Sequence, residues 1–182
     1  MSVGLSIEAW LAEARGRGTT LPEALATFDQ LPSVSCDEMI GHWRGGGLPT
    51  GHPMDGMLEA YDWHGKSFLD VETVHPLVFR SAHGHRIAID PRRVPLVLAP
   101  YRAVWAHPVS RALFRVGIPL LRTARPRARL RAVACRGVVT ATMLYDHLPI
   151  ADSFRRVNAD TVLGLMDQRG AAPFFFVLER EA

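Results

Sequence analysis

The sequence predicts a mainly β protein of the α+β class, in which an antiparallel meander of about eight to ten strands closes into a β-barrel. Three observations carry this prediction. From residue 67 onward, short runs that alternate apolar and polar residues recur at hairpin spacing, with turn residues between them. These runs show no regular βαβ alternation. The first 32 residues instead place apolar side chains at helical spacing.

Two helices are predicted at the N-terminus. Apolar residues between Ile7 and Ala14 keep helical spacing, and Gly16 and Gly18 should close that helix. Thr20 and Glu23 have the spacing of a capping box, and Pro32 should stop the second helix. We expect this helical appendage to dock on the main body as a lid or brace, a position that is also compatible with a homodimer contact.

The next segment, residues 37–70, is rich in glycine, tryptophan and histidine. Trp43 lies between glycines that allow close approach of the backbone. A turn at residues 50–53 should lead into a short helix that begins at Pro53 and carries Met54 and Met57 on one apolar face. The segment therefore predicts a strand, a tight glycine turn and a short plug helix.

The remaining chain is predicted as strands with one helical connection. Pro108 opens a helix in which Val109 and Leu113 lie on one face and Arg111 and Arg115 on another, and Gly117 to Pro119 should end it. Strands are predicted over residues 67–79, 85–89, 94–98, 127–132, 138–145, 150–157, 161–166 and 174–180. The organisation expected is an appendage at 1–32, one barrel half at 33–98, a helical or irregular connection at 99–125 and a second barrel half at 126–182.

A family resemblance is carried by Gly41-His42-Trp43-Arg44-Gly45, which matches the G-x-W-x-G signature of the GXWXG family. The similarity continues through residues 50–56 and 63–66. Residues 136–146 and 174–180 resemble the domain of unknown function that usually follows this motif. The resemblance covers most of the chain from about residue 31, and it implies membership without a particular activity.

A Gly-x-Trp on the first strand of a meander is also similar to the lipocalin and fatty-acid-binding group. That resemblance implies a lipocalin-like barrel with Gly41 and Trp43 at its closed end. Barrels of about eight strands can enclose one apolar ligand. The glycine run and the plug helix depart from the lipocalin pattern, which bears on the size of any cavity.

Charge is distributed unevenly along the chain. Residues 91–145 contain eleven arginines and no aspartate or glutamate, whereas the whole protein has a net charge of only +3. A basic segment of this kind indicates an anionic partner such as a lipid head group or nucleic acid. The alternative is a solvated face whose arginines pair with acids brought near by folding.

Catalytic and metal-binding signatures are not found in the sequence. It contains no HExxH helix, CxxC, GxSxG, phosphate-binding loop or dinucleotide fingerprint. The spacing of His42, His52, His64 and His75 carries no ligand geometry. The prediction is therefore a non-catalytic protein without metal or cofactor.

Candidate ligand contacts come from basic and aromatic side chains. Arg44 and Lys66 flank the tryptophans, and Tyr145 and Arg155 lie on neighbouring strands of one predicted hairpin. A tyrosine hydroxyl with an arginine fork can hold a carboxylate or phosphate inside an apolar pocket. The alternative is a structural pair of Arg155 or a neighbour with an aspartate of the same hairpin.

The first functional hypothesis is binding or carriage of a hydrophobic ligand with an anionic head, such as a fatty acid or phospholipid. Its predicted contacts are Trp43, Arg44, His52, Lys66, Tyr145 and Arg155. Arg111, Arg115 and Arg122 would touch an anionic membrane. The two cysteines and the lack of a signal peptide indicate the cytoplasm.

Two alternatives belong to other classes. One is an enzyme acting on a small apolar substrate in the same cavity, with acid and base drawn from His52, Asp55, His64 and Asp70. The other is nucleic-acid binding through residues 122–136. The absence of aromatic side chains suited to base stacking in these residues argues against this alternative.

Overall fold

The computed structural model describes residues 6–81, 84–94 and 102–182. The helices are α1 Ile7–Arg17, α2 Leu21–Gln30, α3 Cys36–Met39, α4 Met57–Ala60, α5 Arg102–Trp105 and α6 Pro108–Leu121, with a 3₁₀ turn at Pro91–Arg93. The strands are β1 Gly41–Gly47, β2 Trp63–Phe68, β3 Val74–Arg80, β4 Arg86–Ala88, β5 Ala128–Cys135, β6 Val138–Tyr145, β7 Ile150–Asn158, β8 Thr161–Gln168 and β9 Phe174–Arg180.

The nine strands form one antiparallel sheet, which confirms the predicted fold class. Eight of them follow chain order around a closed ring of pairings, and β9 pairs back to β1 from Gly47↔Phe176 to Trp43↔Arg180. The short β4 pairs with β3 outside that ring. The thinnest link is β3 to β5, which are paired at Val74↔Ala128.

The sheet has an apolar core on each of its two faces, one inside the ring of strands and one outside it. Phe174, Phe176 and other alternate residues face the cluster inside the ring. Phe175 and Val177 face outward and pack under α1 and α2, where the rings of Phe28 and Phe175 are 5.9 Å apart. The N-terminal helices therefore cover the outer face of β8 and β9. The capping box predicted for α2 at Thr20 is present.

Trp43 is a buried anchor of the interior cluster. Its side chain is 1% exposed, and its indole Nε1–H donates to the carbonyl of Met39 at 2.8 Å. The guanidinium of Arg180 lies 4.3 Å from the ring centroid. Gly65 has φ +148°, and a Cβ there would lie 1.9 Å from the Trp43 carbonyl oxygen. Trp43 is therefore a packed core residue whose one polar side-chain atom is bonded to the backbone.

Gly45, the last residue of the motif, makes room for a second tryptophan. A Cβ at this position would lie 2.0 Å from the ring of Trp63. We therefore expect Gly45→Ala to destabilise the protein by about 1–3 kcal/mol through overpacking. Urea unfolding measures this loss.

Gly16 supplies the control, because a Cβ added to this helical position meets nothing within 4 Å. Gly16→Ala is expected to leave stability unchanged or to raise it by up to about 1 kcal/mol, since alanine is the better helix former. Equal effects of the two substitutions would contradict the packing role of Gly45.

Two predicted helix boundaries were wrong. The plug helix α4 begins at Met57, not at Pro53, because Asp55 accepts hydrogen bonds from the backbone N–H groups of residues 50–52 and holds them in a turn. Helix α6 continues past Gly117 to Leu121. Burial of Ile118 anchors its last turn, and packing overrides the weak helix propensity there. The strand predicted over 94–98 falls almost entirely outside the described residues.

Most arginines of the basic segment pair with acidic side chains that lie outside the segment in sequence. These ion pairs are Arg92–Asp90, Arg127–Asp90, Arg115–Asp62, Arg129–Asp146, Arg131–Glu72 and Arg136–Asp29. The Arg92 guanidinium bonded to Asp90 lowers the pKa of that carboxyl to about 2. Folding thus neutralises much of the segment, as the alternative reading of the sequence expected. Over the described part of the chain, no helix is long and apolar enough to cross a membrane.

Candidate functional site

A charged pair lies inside the ring of strands. Lys66 of β2 and Asp152 of β7 meet across the interior with Nζ and Oδ2 2.8 Å apart, and their side chains are 4% and 1% exposed. The ammonium also donates to the carbonyl of Pro76 at 3.3 Å. Lys66 is the only lysine of the protein. The one lysine of the protein is therefore buried inside the ring of strands.

The alternation of β-strands explains why these two side chains point inward. Along β7, Asp152 lies between Ile150 and Phe154, and both neighbours belong to the interior cluster. Lys66 is the cross-strand partner of Trp43 in the β1–β2 ladder, so it shares the inward face with that ring. An acid and a base thus occupy positions that would otherwise carry apolar residues.

Aromatic rings surround the ammonium group. Lys66 Nζ lies 4.9 Å from the ring centroid of Phe176, 5.4 Å from that of Trp63 and 5.8 Å from that of Tyr145. Distances below about 6 Å allow cation–π attraction, which is strongest where water is excluded. The rings hold the cation in place and leave its charge balanced chiefly by Asp152.

A small cavity adjoins the pair. Its volume is about 60 Å³, which is room for a few waters. Its wall is mainly apolar, with lining residues Met54, Met57, Leu58, Trp63, Lys66, Leu77, Tyr145, Ile150, Asp152, Met166, Gln168, Phe174 and Phe176. Within the described part of the chain, Asp152 Oδ1 and Trp63 Nε1 are buried without a hydrogen-bond partner. The wall therefore holds an unused acceptor and an unused donor.

Burial sets the ionisation of the polar groups in this wall. It raises the pKa of Asp152, and the neighbouring Lys66 ammonium opposes that shift. Burial and the negative charge of Asp152 together raise the pKa of Tyr145 well above its ordinary value. Tyr145 thus keeps its proton at neutral pH and can donate a hydrogen bond.

Of the predicted ligand contacts, Lys66 and Tyr145 lie in the cavity wall. Trp43, Arg44 and His52 are not among its lining residues. Trp43 packs in the core, and Arg44 forms an ion pair with Glu179 at 2.6 Å. His52 accepts the backbone N–H of residue 54 on Nδ1, and burial lowers its pKa.

The predicted fork of Tyr145 with Arg155 is not formed. Arg155 is buried on the opposite face of β7, where it donates to the carbonyls of Leu31 and Cys135 at 3.1 Å each. Its guanidinium lies 5.2 Å from the ring of Phe28. The physical reason is strand parity: residues 152 and 155 point to opposite faces, and α2 covers the face of Arg155. This arginine ties the N-terminal segment to the sheet.

The histidines and acids considered for catalysis do not line the cavity. Asp55 and Asp70 accept backbone N–H groups in their loops. His64 is buried outside the cavity wall, with Nε2 3.0 Å from Glu181 Oε1 and with Arg80 donating to Nδ1. In the ranges that the structure describes, no group of three or more histidine, cysteine or acidic side chains is placed to hold a metal ion.

Sequence reasoning missed Asp152 as a site residue. The available signal was the alternation Ile150, Asp152, Phe154, which puts one acid on an otherwise apolar face. Read together with a single lysine in the chain, that alternation could have predicted an internal ion pair.

The fold and the site define a class: a small antiparallel β protein whose strands enclose a charged pair among aromatic side chains. Residues 26–84 match the GXWXG protein family, and residues 126–180 match the Domain of unknown function (DUF4334). A solved structure described as "Crystal structure of protein from Thermomonospora curvata" is 33% identical, with a TM-score of 0.71, over 98% of this chain and 100% of that one.

The chain belongs to the GXWXG family and carries the DUF4334 domain after the motif region. None of the curated proteins matches it. Lys66 lies in the first matched region and Asp152 in the second, so the internal ion pair joins the two.

Proposed function

We propose that this protein binds a small, largely apolar molecule inside the ring of strands, with one polar group of the ligand held at the Lys66–Asp152 pair. The observation that carries the proposal is the pair itself, enclosed beside a cavity whose wall holds an unpaired acceptor and an unpaired donor. Apolar walls with a few convergent polar groups are typical of small-molecule sites.

The energetics favour a binding role over a purely structural one. A buried ion pair stabilises a fold weakly, because the loss of hydration offsets most of the attraction. Each buried polar group without a partner costs about 1–3 kcal/mol more. A ligand hydroxyl that donates to Asp152 Oδ1 and accepts from Trp63 Nε1 would satisfy both groups.

The charge balance refines the class of ligand. Because Asp152 already neutralises Lys66, an anionic head would have to displace a buried carboxylate, whereas a neutral hydroxyl would not. We therefore favour a neutral polar head over the carboxylate or phosphate of a fatty acid or phospholipid.

The cavity is small, so a ligand with a long apolar tail requires repacking of the wall. Its volume is well below the roughly 300–1,000 Å³ of common ligand pockets. A longer apolar tail would have to displace Met54, Met57 or Leu58 from the wall, and methionine side chains adapt well to such repacking.

Calorimetric titration with three probes of one chain length tests the proposal: dodecanol, dodecanoate and dodecane. Dodecanol should bind most tightly. The double variant Lys66→Met with Asp152→Leu should weaken its affinity about tenfold or more, as expected for the loss of a charge-assisted hydrogen bond. Arg44→Gln, outside the cavity wall, is the control and should bind as the parent does.

Two results would overturn the proposal. One is a parent protein that binds none of the three probes. The other is equal affinity of the parent and the double variant for dodecanol.

A second candidate, proton-transfer catalysis, rests on the same wall. Asp152 has a free oxygen and a raised pKa beside a protonated Tyr145, a combination suited to general acid–base chemistry on a small apolar substrate. Deuterium exchange at the α-carbons of cyclohexanone in D₂O provides the test. Exchange above the buffer rate that disappears in Asp152→Asn supports catalysis, and exchange at the buffer rate in the parent argues for binding alone.

A further inference from the structure

Helix α6 presents an apolar stripe to solvent. Val109, Leu113, Val116 and Leu120 are 57%, 69%, 79% and 79% exposed. Their spacing of three and four residues puts them on one face of the helix. A continuous exposed stripe of this kind usually marks an interaction surface.

The opposite face of α6 already holds the helix on the body. The ring of Phe114 packs on Tyr61 at 4.8 Å and on Phe79 at 5.1 Å, and Ile118 is 1% exposed. Among the described residues the outer stripe stays exposed, so α6 has a second apolar face there.

The arginines near α6 divide into two sets. Arg111 donates to the carbonyl of Ala60 at 3.0 Å, and Arg115 forms an ion pair with Asp62 at 2.5 Å. These two, which the sequence predicted as membrane contacts, tie α6 to the turn after α4. Arg122 and Arg125, beyond the C-terminal end of α6, are exposed and form no ion pair within the described residues.

We propose that the outer stripe of α6 docks on an anionic lipid surface, with Arg122 and Arg125 contacting the head groups. Apolar side chains that enter the acyl boundary beside basic residues are the usual means of interfacial attachment. Each arginine near an anionic surface adds about 1 kcal/mol, or about fivefold in the partition coefficient. Arg93, which donates to the carbonyl of Leu120 at 2.8 Å, adds a third positive charge at this end of the helix.

Charge also decides against a second copy of the chain as the occupant. Arg93, Arg122 and Arg125 at this end of the helix are exposed and form no ion pair within the described residues. Two copies meeting face to face through α6 would bring their arginines together, which like-charge repulsion opposes. Nucleic acid fits poorly as well, because phosphates require cations where this stripe carries apolar groups.

This surface is distinct from the internal cavity, and the inference does not depend on ligand binding. The two are nevertheless adjacent: α6 contacts α4 through Ala60 and Tyr61, and α4 supplies Met57 and Leu58 to the cavity wall. Docking at α6 would therefore place that part of the wall beside the lipid.

Co-sedimentation with vesicles tests the inference. The parent should bind vesicles of phosphatidylcholine with ~30% phosphatidylglycerol and bind pure phosphatidylcholine at least about tenfold less. Leu113→Gln with Leu120→Gln and, separately, Arg122→Gln with Arg125→Gln should each reduce partitioning about tenfold or more. Val139→Gln removes an exposed apolar side chain of β6 and is the matched control, expected to bind as the parent does.

Thermal melts establish that each variant is folded before vesicles are added. The inference is overturned if the parent ignores anionic vesicles, or if Leu113→Gln with Leu120→Gln sediments with them as the parent does. It is equally overturned if light scattering finds a dimer that this variant dissociates while no vesicle binding occurs, because the stripe would then serve self-association.

Discussion

Asp152→Ala is expected to lower the free energy of unfolding by about 3–5 kcal/mol, because it leaves the Lys66 ammonium buried without its counter-charge. The aromatic rings around the ammonium cannot replace a carboxylate at 2.8 Å. Urea unfolding of the parent and the variant at neutral pH measures the loss.

The double variant Lys66→Met with Asp152→Leu should recover most of that stability, because no charge is left to desolvate. Asp146→Ala breaks the partly exposed pair with Arg129 and is the control, expected to cost less than about 1 kcal/mol. If Asp152→Ala costs no more than this control, the internal pair is not the buried ionic contact described above.

This comparison also bears on why the pair is present. A double variant that is as stable as the parent and no longer binds dodecanol would show that the fold does not require the two charges. Their presence would then be explained by recognition of a ligand. A double variant that cannot fold would instead assign the pair to structure.

Much of the fold could be predicted because strand periodicity is a local signal. The alternation along β7, β8 and β9 and the turn residues between them define hairpins without knowledge of the rest of the chain. The pairing of β1 with β9 joins residues far apart in sequence, and the sequence predicted it only through the expectation that the meander closes into a barrel.

The site was less predictable because periodicity separates two faces without showing which one is interior. Arg155 and Asp152 alternate correctly on β7, yet α2 covers the face of Arg155 and buries it in a second core. The sequence did predict the N-terminal helices as a lid or brace. Their docking position depends on the contact between Phe28 of α2 and Phe175 of β9, which are far apart in sequence. The same limit applied to α6. The sequence placed Val109 and Leu113 on one face and Arg111 and Arg115 on another, but it did not show that the apolar face is exposed.

Trp43→Ala is expected to cost about 3–5 kcal/mol, the usual loss when a large buried aromatic side chain is removed. The substitution empties a site that is 1% exposed, removes the donor to the Met39 carbonyl and removes the ring beneath Arg180. Because Trp43 is not a lining residue of the cavity, the affinity of the folded variant for dodecanol should fall less than that of a variant of the cavity wall.

For Trp63 we expect the opposite pattern, a small loss of stability with a clear loss of ligand affinity. Comparing the two tryptophans therefore tests which one supports the core and which one contacts the ligand. Trp63 lines the cavity, and its Nε1 is the unpaired donor, so Trp63→Phe keeps most of the apolar ring and removes the donor. It should lose about 1–2 kcal/mol of stability, less than Trp43→Ala, and weaken dodecanol binding. Urea unfolding of both variants measures the loss of stability, and titration with dodecanol measures the loss of affinity. Together they distinguish a core residue from a residue of the cavity wall. A Trp43→Ala protein that keeps parental stability and loses the ligand would reverse the two roles.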